Sequence, residues 1–89
     1  MLKLFFKEKP FKVFTVLKNE GEWHFSKIAR ETGTTYVYVS SLVSDFEELG
    51  LVSVKIKGKK KIAELTQKGI EIANKMEELR KKIDSDGSE

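Results

Sequence analysis

Cysteine is absent from the 89 residues, so no disulfide framework and no thiolate metal site can be built. Histidine occurs once, at His24, which leaves carboxylates as the only other ligands for a metal cluster. No apolar run approaches the ~18 residues needed to span a bilayer. Residues 1–7 lack the apolar core length and the small-residue cleavage site of a secretory signal. A cytoplasmic setting with no membrane association is therefore expected. A large excess of one charge is missing too: the net charge is +3, so the chain as a whole is no polycation. The length allows one domain and leaves little room for a second.

The charge that is present is concentrated. The segment VKIKGKKK carries Lys55, Lys57, Lys59, Lys60 and Lys61 with no acid among them. Such a cluster suggests a polyanionic partner met at one place. Trp23-His24-Phe25 reads as a brief strand. Before it, Pro10 suits the first turn of a helix carrying Phe11, Val13, Phe14, Val16 and Leu17, with Gly21 as its left-handed cap. Ser26 reads as an N-cap for a short helix through Ile28 and Ala29 that stops at Gly33. Thr35 then caps a longer helix with Val39, Leu42, Val43, Phe46 and Leu49 at spacings of three and four, closed by Gly50. A short helix, a Gly-containing turn and a longer amphipathic helix in succession make a helix-turn-helix.

After Gly50 the period changes to two. Val52, Val54 and Ile56 alternate with Ser53, Lys55 and Lys57, Gly58-Lys59 marks a turn, and Ile62 to Leu65 return as the partner strand. Thr66 caps a last helix to about Ile83. Along it Ile72, Met76, Leu79 and Ile83 form a narrow stripe, and Ile70 falls on another face. Ile70 is expected against the chain's own domain, leaving the stripe for a partner. Leu2, Leu4, Phe5 and Phe6 are too apolar for a free terminus and suit packing on the domain or a dimer contact equally. The expected organisation is a domain over 1–69, a helix over 70–83 available for dimerisation, and a disordered acidic tail over 84–89.

The stretch FSKIARETGTTYVYVSSLVSDFEELGLV (Phe25 to Val52), followed by LTQKG (Leu65 to Gly69), resembles the winged helix-turn-helix domains of the MarR type and related archaeal transcriptional regulators. The resemblance covers about two thirds of the chain. It implies an α+β, mainly α fold: a three-helix core, a small antiparallel sheet with a wing hairpin, and a C-terminal helix. Thr35 to Leu49 would be the recognition helix, which enters the DNA major groove and reads bases with its N-terminal half. Its outward residues are read as Thr35, Tyr36, Val37, Tyr38, Ser40, Ser41 and Ser44, whose hydroxyls suit phosphates and bases. Where the family usually places Arg or Lys, this sequence has Tyr36, Ser41 and Asp45. The bidentate arginine–guanine contact is therefore not available from this helix.

The DNA-binding set expected from the resemblance is Thr35, Tyr36, Tyr38, Ser40, Ser41 and Ser44, with the wing residues Lys55, Lys57, Lys59, Lys60 and Lys61. Lys27 and Arg30 on the preceding helix complete it. The wing lysines would reach the minor groove or its phosphates and make binding salt-sensitive. Asp45, Glu47 and Glu48 read as surface charges, Trp23 and Phe25 as core or sheet residues, and His24 as a surface strand residue. The function implied is a sequence-specific double-stranded DNA-binding protein, a dimeric transcription regulator joined through Ile72, Met76, Leu79 and Ile83. The alternative is a winged-helix module for protein interaction or assembly, which the uncharged recognition face favours and the lysine-rich wing disfavours. No enzyme is expected, because P-loop, metal spacing and nucleophile–histidine sets are all missing. No cofactor and no metal are expected, and the sequence names no small-molecule effector.

Overall fold

The computed structural model of the chain describes residues 8–87. Its first helix, α1 (Glu8–Val16), opens with Glu8 and Pro10 in its first turn and buries Val13 and Phe14. The helix does not run on to Gly21. It tightens into three-residue turns, with the amides of Leu17, Lys18 and Asn19 donating to the carbonyls of Phe14, Thr15 and Val16. Gly21, at φ +118°, lies beyond this turn and caps nothing. The brief strand β1 (Trp23–His24) ends one residue earlier than its aromatic composition suggests, because Phe25 already belongs to α2 (Phe25–Thr32).

His24, rather than Ser26, caps α2. Its backbone is extended and its Nδ1 accepts the Lys27 amide at 3.1 Å, while Ser26 lies exposed in the first turn. Gly33 closes α2 at φ +68°. Thr35 caps α3 (Tyr36–Glu48), its hydroxyl accepting the Tyr38 amide at 3.1 Å. Replacing such a cap by Ala typically costs about 1 kcal/mol. At the other end of α3 the Leu51 amide reaches the Phe46 carbonyl and the Gly50 amide reaches that of Glu47. Gly50 takes the positive φ (+75°) that this paired cap requires.

Strand β2 (Val52–Lys57) and strand β3 (Lys60–Leu65) form the hairpin, with Lys57 opposite Lys60 and Val52 opposite Leu65. Gly58 takes φ +63° and Lys59 a negative φ, the order of signs of a two-residue II′ turn. The sheet order is β1-β3-β2, antiparallel throughout. Its core face carries Trp23, Ala63 and Val54 in one row. The inward alternation of β2 fades along the strand: Val52 is buried, Val54 half-buried and Ile56 73% exposed. The hairpin has outrun the core by then and projects into solvent.

Helix α4 (Gln67–Gly87) is capped by Thr66, whose hydroxyl accepts the Gly69 amide at 3.0 Å and donates to the Gly50 carbonyl at 2.6 Å. It continues past Ile83 through residues expected in a disordered tail. Its facing also differs from expectation. Ala73 is fully buried, Ile72 and Met76 pack against the core, and Ile70 is 41% exposed. The helix turns the line Gly69, Ile72, Ala73, Met76 inward. Glu77 extends that line to Lys18 at 3.1 Å, and Arg80 lies 5.0 Å from the Phe11 ring. Ile72 and Met76 are thus engaged by the chain's own core. Leu79 stays 52% exposed, while the Ile83 side chain and residues 1–7 lie outside what is described.

Phe14 and Phe46, both fully buried with ring centroids 5.0 Å apart, join α1 to α3 at the centre of the core. Burial of each such side chain stabilises the fold by about 1.5–3 kcal/mol. Three helices, a three-stranded sheet with a projecting hairpin, and a C-terminal helix make this a winged helix-turn-helix. Among the described residues, no helix is long and apolar enough to cross a membrane.

Candidate nucleic-acid interface

Helix α3 buries Val39, Leu42, Val43 and Phe46. At about 100° per residue, the ridge diametrically opposite is Val37, Ser41, Ser44 and Glu48. Val37 is 77% exposed, and Ser41 and Ser44 are exposed. The other members of the expected reading face lie on its flanks. Tyr36 is 47% exposed and its ring rests 5.7 Å from that of Phe25. Tyr38, expected to point outward, is half-buried against the core, and Ser40 is half-buried. Thr35 is exposed, but its oxygen is engaged in the cap.

The wing lysines are not alike. The segment itself has no acid, yet the fold brings two to it. Lys55 pairs with Glu64 at 2.6 Å, and Lys57 pairs with Glu22 at 2.6 Å. The hydrogen bond from Lys57 and its charge hold the Glu22 carboxyl below the usual carboxylate range. The bond to Glu64, with that carboxylate's charge, raises the Lys55 ammonium above the usual lysine value. Lys59, Lys60 and Lys61 enter no ion pair among the described residues and remain exposed at the tip. The Lys57–Glu22 bridge crosses β3 on the sheet face turned away from the core. On that face Ile62, between Lys55 and His24 in the register, is only 2% exposed.

The half-buried His24 marks where these pieces meet. Partial burial holds its pKa below the ordinary histidine value, and the charges of Lys60, Arg30 and Lys27 push it the same way, against a smaller pull from Glu22. One wing lysine and both cations expected on α2 are therefore gathered around β1. Lys27 also places its ammonium 4.3 Å from the centre of the Trp23 ring. Through Phe25 and Tyr36 this neighbourhood is continuous with the start of α3.

Three features escaped sequence reasoning. Glu64 had a signal: counting back from the Gly58-Lys59 turn places it opposite Ser53, diagonal to Lys55. Glu22 had none, because the position of β1 beside β3 cannot be counted from the chain. The His24 cap was hidden by the more usual cap residue two positions on. A shallow cleft of about 310 Å³ is lined by Lys12, Asn19, Glu31 and Glu77, among others. Its charges are of both signs, and Glu77 is already held by Lys18.

No family model matches the chain. A curated relative, an uncharacterized protein of Archaeoglobus fulgidus, is 29% identical over 82 residues, spanning 88% of this chain and 86% of the relative. The crystal structure of AF1382 from the same organism superposes with a TM-score of 0.83 at 27% identity, over 92% of this chain and 94% of that one. Sso10a-2, a DNA-binding protein from Sulfolobus solfataricus, gives 0.74 at 24% identity, over 88% and 83%. MepR, a transcription regulator of the Staphylococcus aureus multidrug efflux pump MepA, gives 0.83 at 18% identity, over 94% and 65%. The chain therefore shares its fold with winged-helix transcription regulators.

Proposed function

We propose, with the winged helix-turn-helix fold as the premise, that the chain is a sequence-specific double-stranded DNA-binding protein acting as a dimeric transcription regulator in the cytoplasm. Helix α3 enters the major groove by its N-terminal half, and the hairpin tip lies on the minor groove or its phosphates. The observation that carries this reading is the exposed trio Lys59, Lys60 and Lys61, without an ion pair among the described residues while their neighbours Lys55 and Lys57 are paired. Lys27, Arg30 and Lys60 around His24 extend the positive ground toward α3. The hydroxyls of Ser41 and Ser44 then face the groove. Asp45, Glu47 and Glu48, at the far end of α3, favour an approach that keeps that end off the phosphates.

The test is a gel-shift selection on random duplexes across a salt series. Recovery of a defined motif, with affinity falling steeply as salt rises, supports the proposal. Absence of any retarded complex at low salt overturns it. The second reading, a protein-interaction module, is favoured by the lack of any cation between Thr34 and Leu49 and by the exposure of Val37.

A further inference from the structure

The outward ridge of α3 starts with an aliphatic side chain. Among the described residues Val37 is the most exposed large hydrophobic side chain, at 77%, and it lies one residue into the helix. Its neighbours are each held by a contact of their own, although Tyr36 stays 47% exposed. Thr35 is committed to its cap, Tyr36 lies against Phe25, and Tyr38 against the core. From Thr34 to Leu49 there is no Arg, Lys, His, Asn or Gln. Bidentate recognition of guanine by Arg or Lys, and of adenine by Asn or Gln, is therefore closed to this helix. Acceptors for the cytosine amino group, Asp45, Glu47 and Glu48, sit at the C-terminal end. Glu48, on the same ridge as Val37, is about 16 Å away along the axis. Beside the Tyr36 hydroxyl, what the leading turn offers a base edge is the methyl groups of Val37, and the one base that carries a methyl in the major groove is thymine.

We propose that Val37 is a specificity-determining residue that packs on the 5-methyl group of thymine, so that this helix selects A·T-containing steps by apolar contact. The inference rests on the DNA-binding reading above and adds to it the class of sequence read. Ser41, one turn further along the same ridge, supplies a hydroxyl to whichever edge lies beside the methyl. The cations around His24 hold the backbone and carry no part of the discrimination.

The experiment removes the methyl from the DNA and the valine from the protein. The full chain is titrated by fluorescence anisotropy against alternating A-T, A-U and G-C duplexes of equal length at one low salt concentration. Wild type, Val37→Ala and Val37→Thr are compared. Alanine is a better helix former than valine and the site is exposed, so folding is retained and is checked by thermal melting. The wild type is expected to bind the A-U duplex about fourfold more weakly than A-T for each methyl it touches. Val37→Ala, which loses both γ-methyls, is expected to narrow the A-T over A-U preference, while Val37→Thr, which keeps one γ-methyl, retains more of it. If the wild type does not distinguish A-T from A-U, or Val37→Ala keeps the same ratio, the inference is overturned and DNA binding stands. If Val37→Ala leaves all duplex affinities unchanged but lowers self-association, Val37 belongs to a protein contact and the inference again falls. If no duplex binds at low salt, the DNA reading itself has failed.

Discussion

His24 concentrates in one side chain a structural duty and a proton. Its Nδ1 can accept the Lys27 amide only while unprotonated, and its burial and the cations Lys60, Arg30 and Lys27 all disfavour charging it. The folded-state pKa lies below the ordinary value of 6.5, so the unfolded chain takes up the proton first. Stability from this group is complete above that value. It declines as pH falls from 6.5 through the folded-state pKa, and changes no further below it. His24→Asn keeps a side-chain acceptor at the cap without the titration. Thermal melting of both proteins between about pH 8 and pH 5 should show a larger loss for the wild type. Superimposable profiles would sink the assignment. Little of this was legible in the sequence: histidine is an infrequent cap, and Ser26 offers a more usual one.

At the scale of the elements, the wing makes its own prediction. Lysines already neutralised by Glu64 and Glu22 have fewer counter-ions to release than the three at the tip. Changing Lys59, Lys60 and Lys61 to Ser should lower the slope of log affinity against log salt by about 0.9 for each phosphate that goes unneutralised. Changing Lys55 and Lys57 to Ser should lower it by less per residue. Equal slopes per lysine would show that the ion pairs do not persist near DNA. The hairpin itself was readable, since a two-residue turn fixes the register of both strands. So were the cap of α3 at Thr35 and its buried Val39, Leu42, Val43 and Phe46, because bulk recurs there at helical spacing. Helix α4 and its Thr66 cap were readable too, but not which face of it turns inward, for the converse reason. Among the larger residues, its inward line includes Gly69 and Ala73, which mark a close packing surface by having almost no side chain, and a count of large apolar residues passes over them. The end of α1 was misplaced because Gly21 invites a cap, while the actual stop is a tightened turn that any residue can make.

The described residues measure 49 × 26 × 25 Å, and the long dimension suits α4, whose 21 residues span about 31 Å. Leu79 is exposed on its distal half, after Ile72 and Met76 have been taken up by the core. A dimer joined there would carry two recognition helices, to be set about 34 Å apart on a two-fold site. Leu79→Lys is expected to shift a dimer toward monomer in sedimentation velocity and to weaken binding to a palindromic duplex. Ile70→Lys, on the opposite side of the helix, is expected to do neither. A wild type that sediments as a monomer at every concentration would remove the dimer from the proposal. The root of α4 gives this arrangement a particular rigidity. A side chain at Gly69 would strike the Leu51 carbonyl, and the Thr66 hydroxyl is bonded to the Gly50 carbonyl, so the helix is moored to the very residues that close α3. The lever that a second copy would grip and the finger that would touch the bases are therefore soldered at a single joint, and the spacing between two such fingers is gauged by the tilt of the levers.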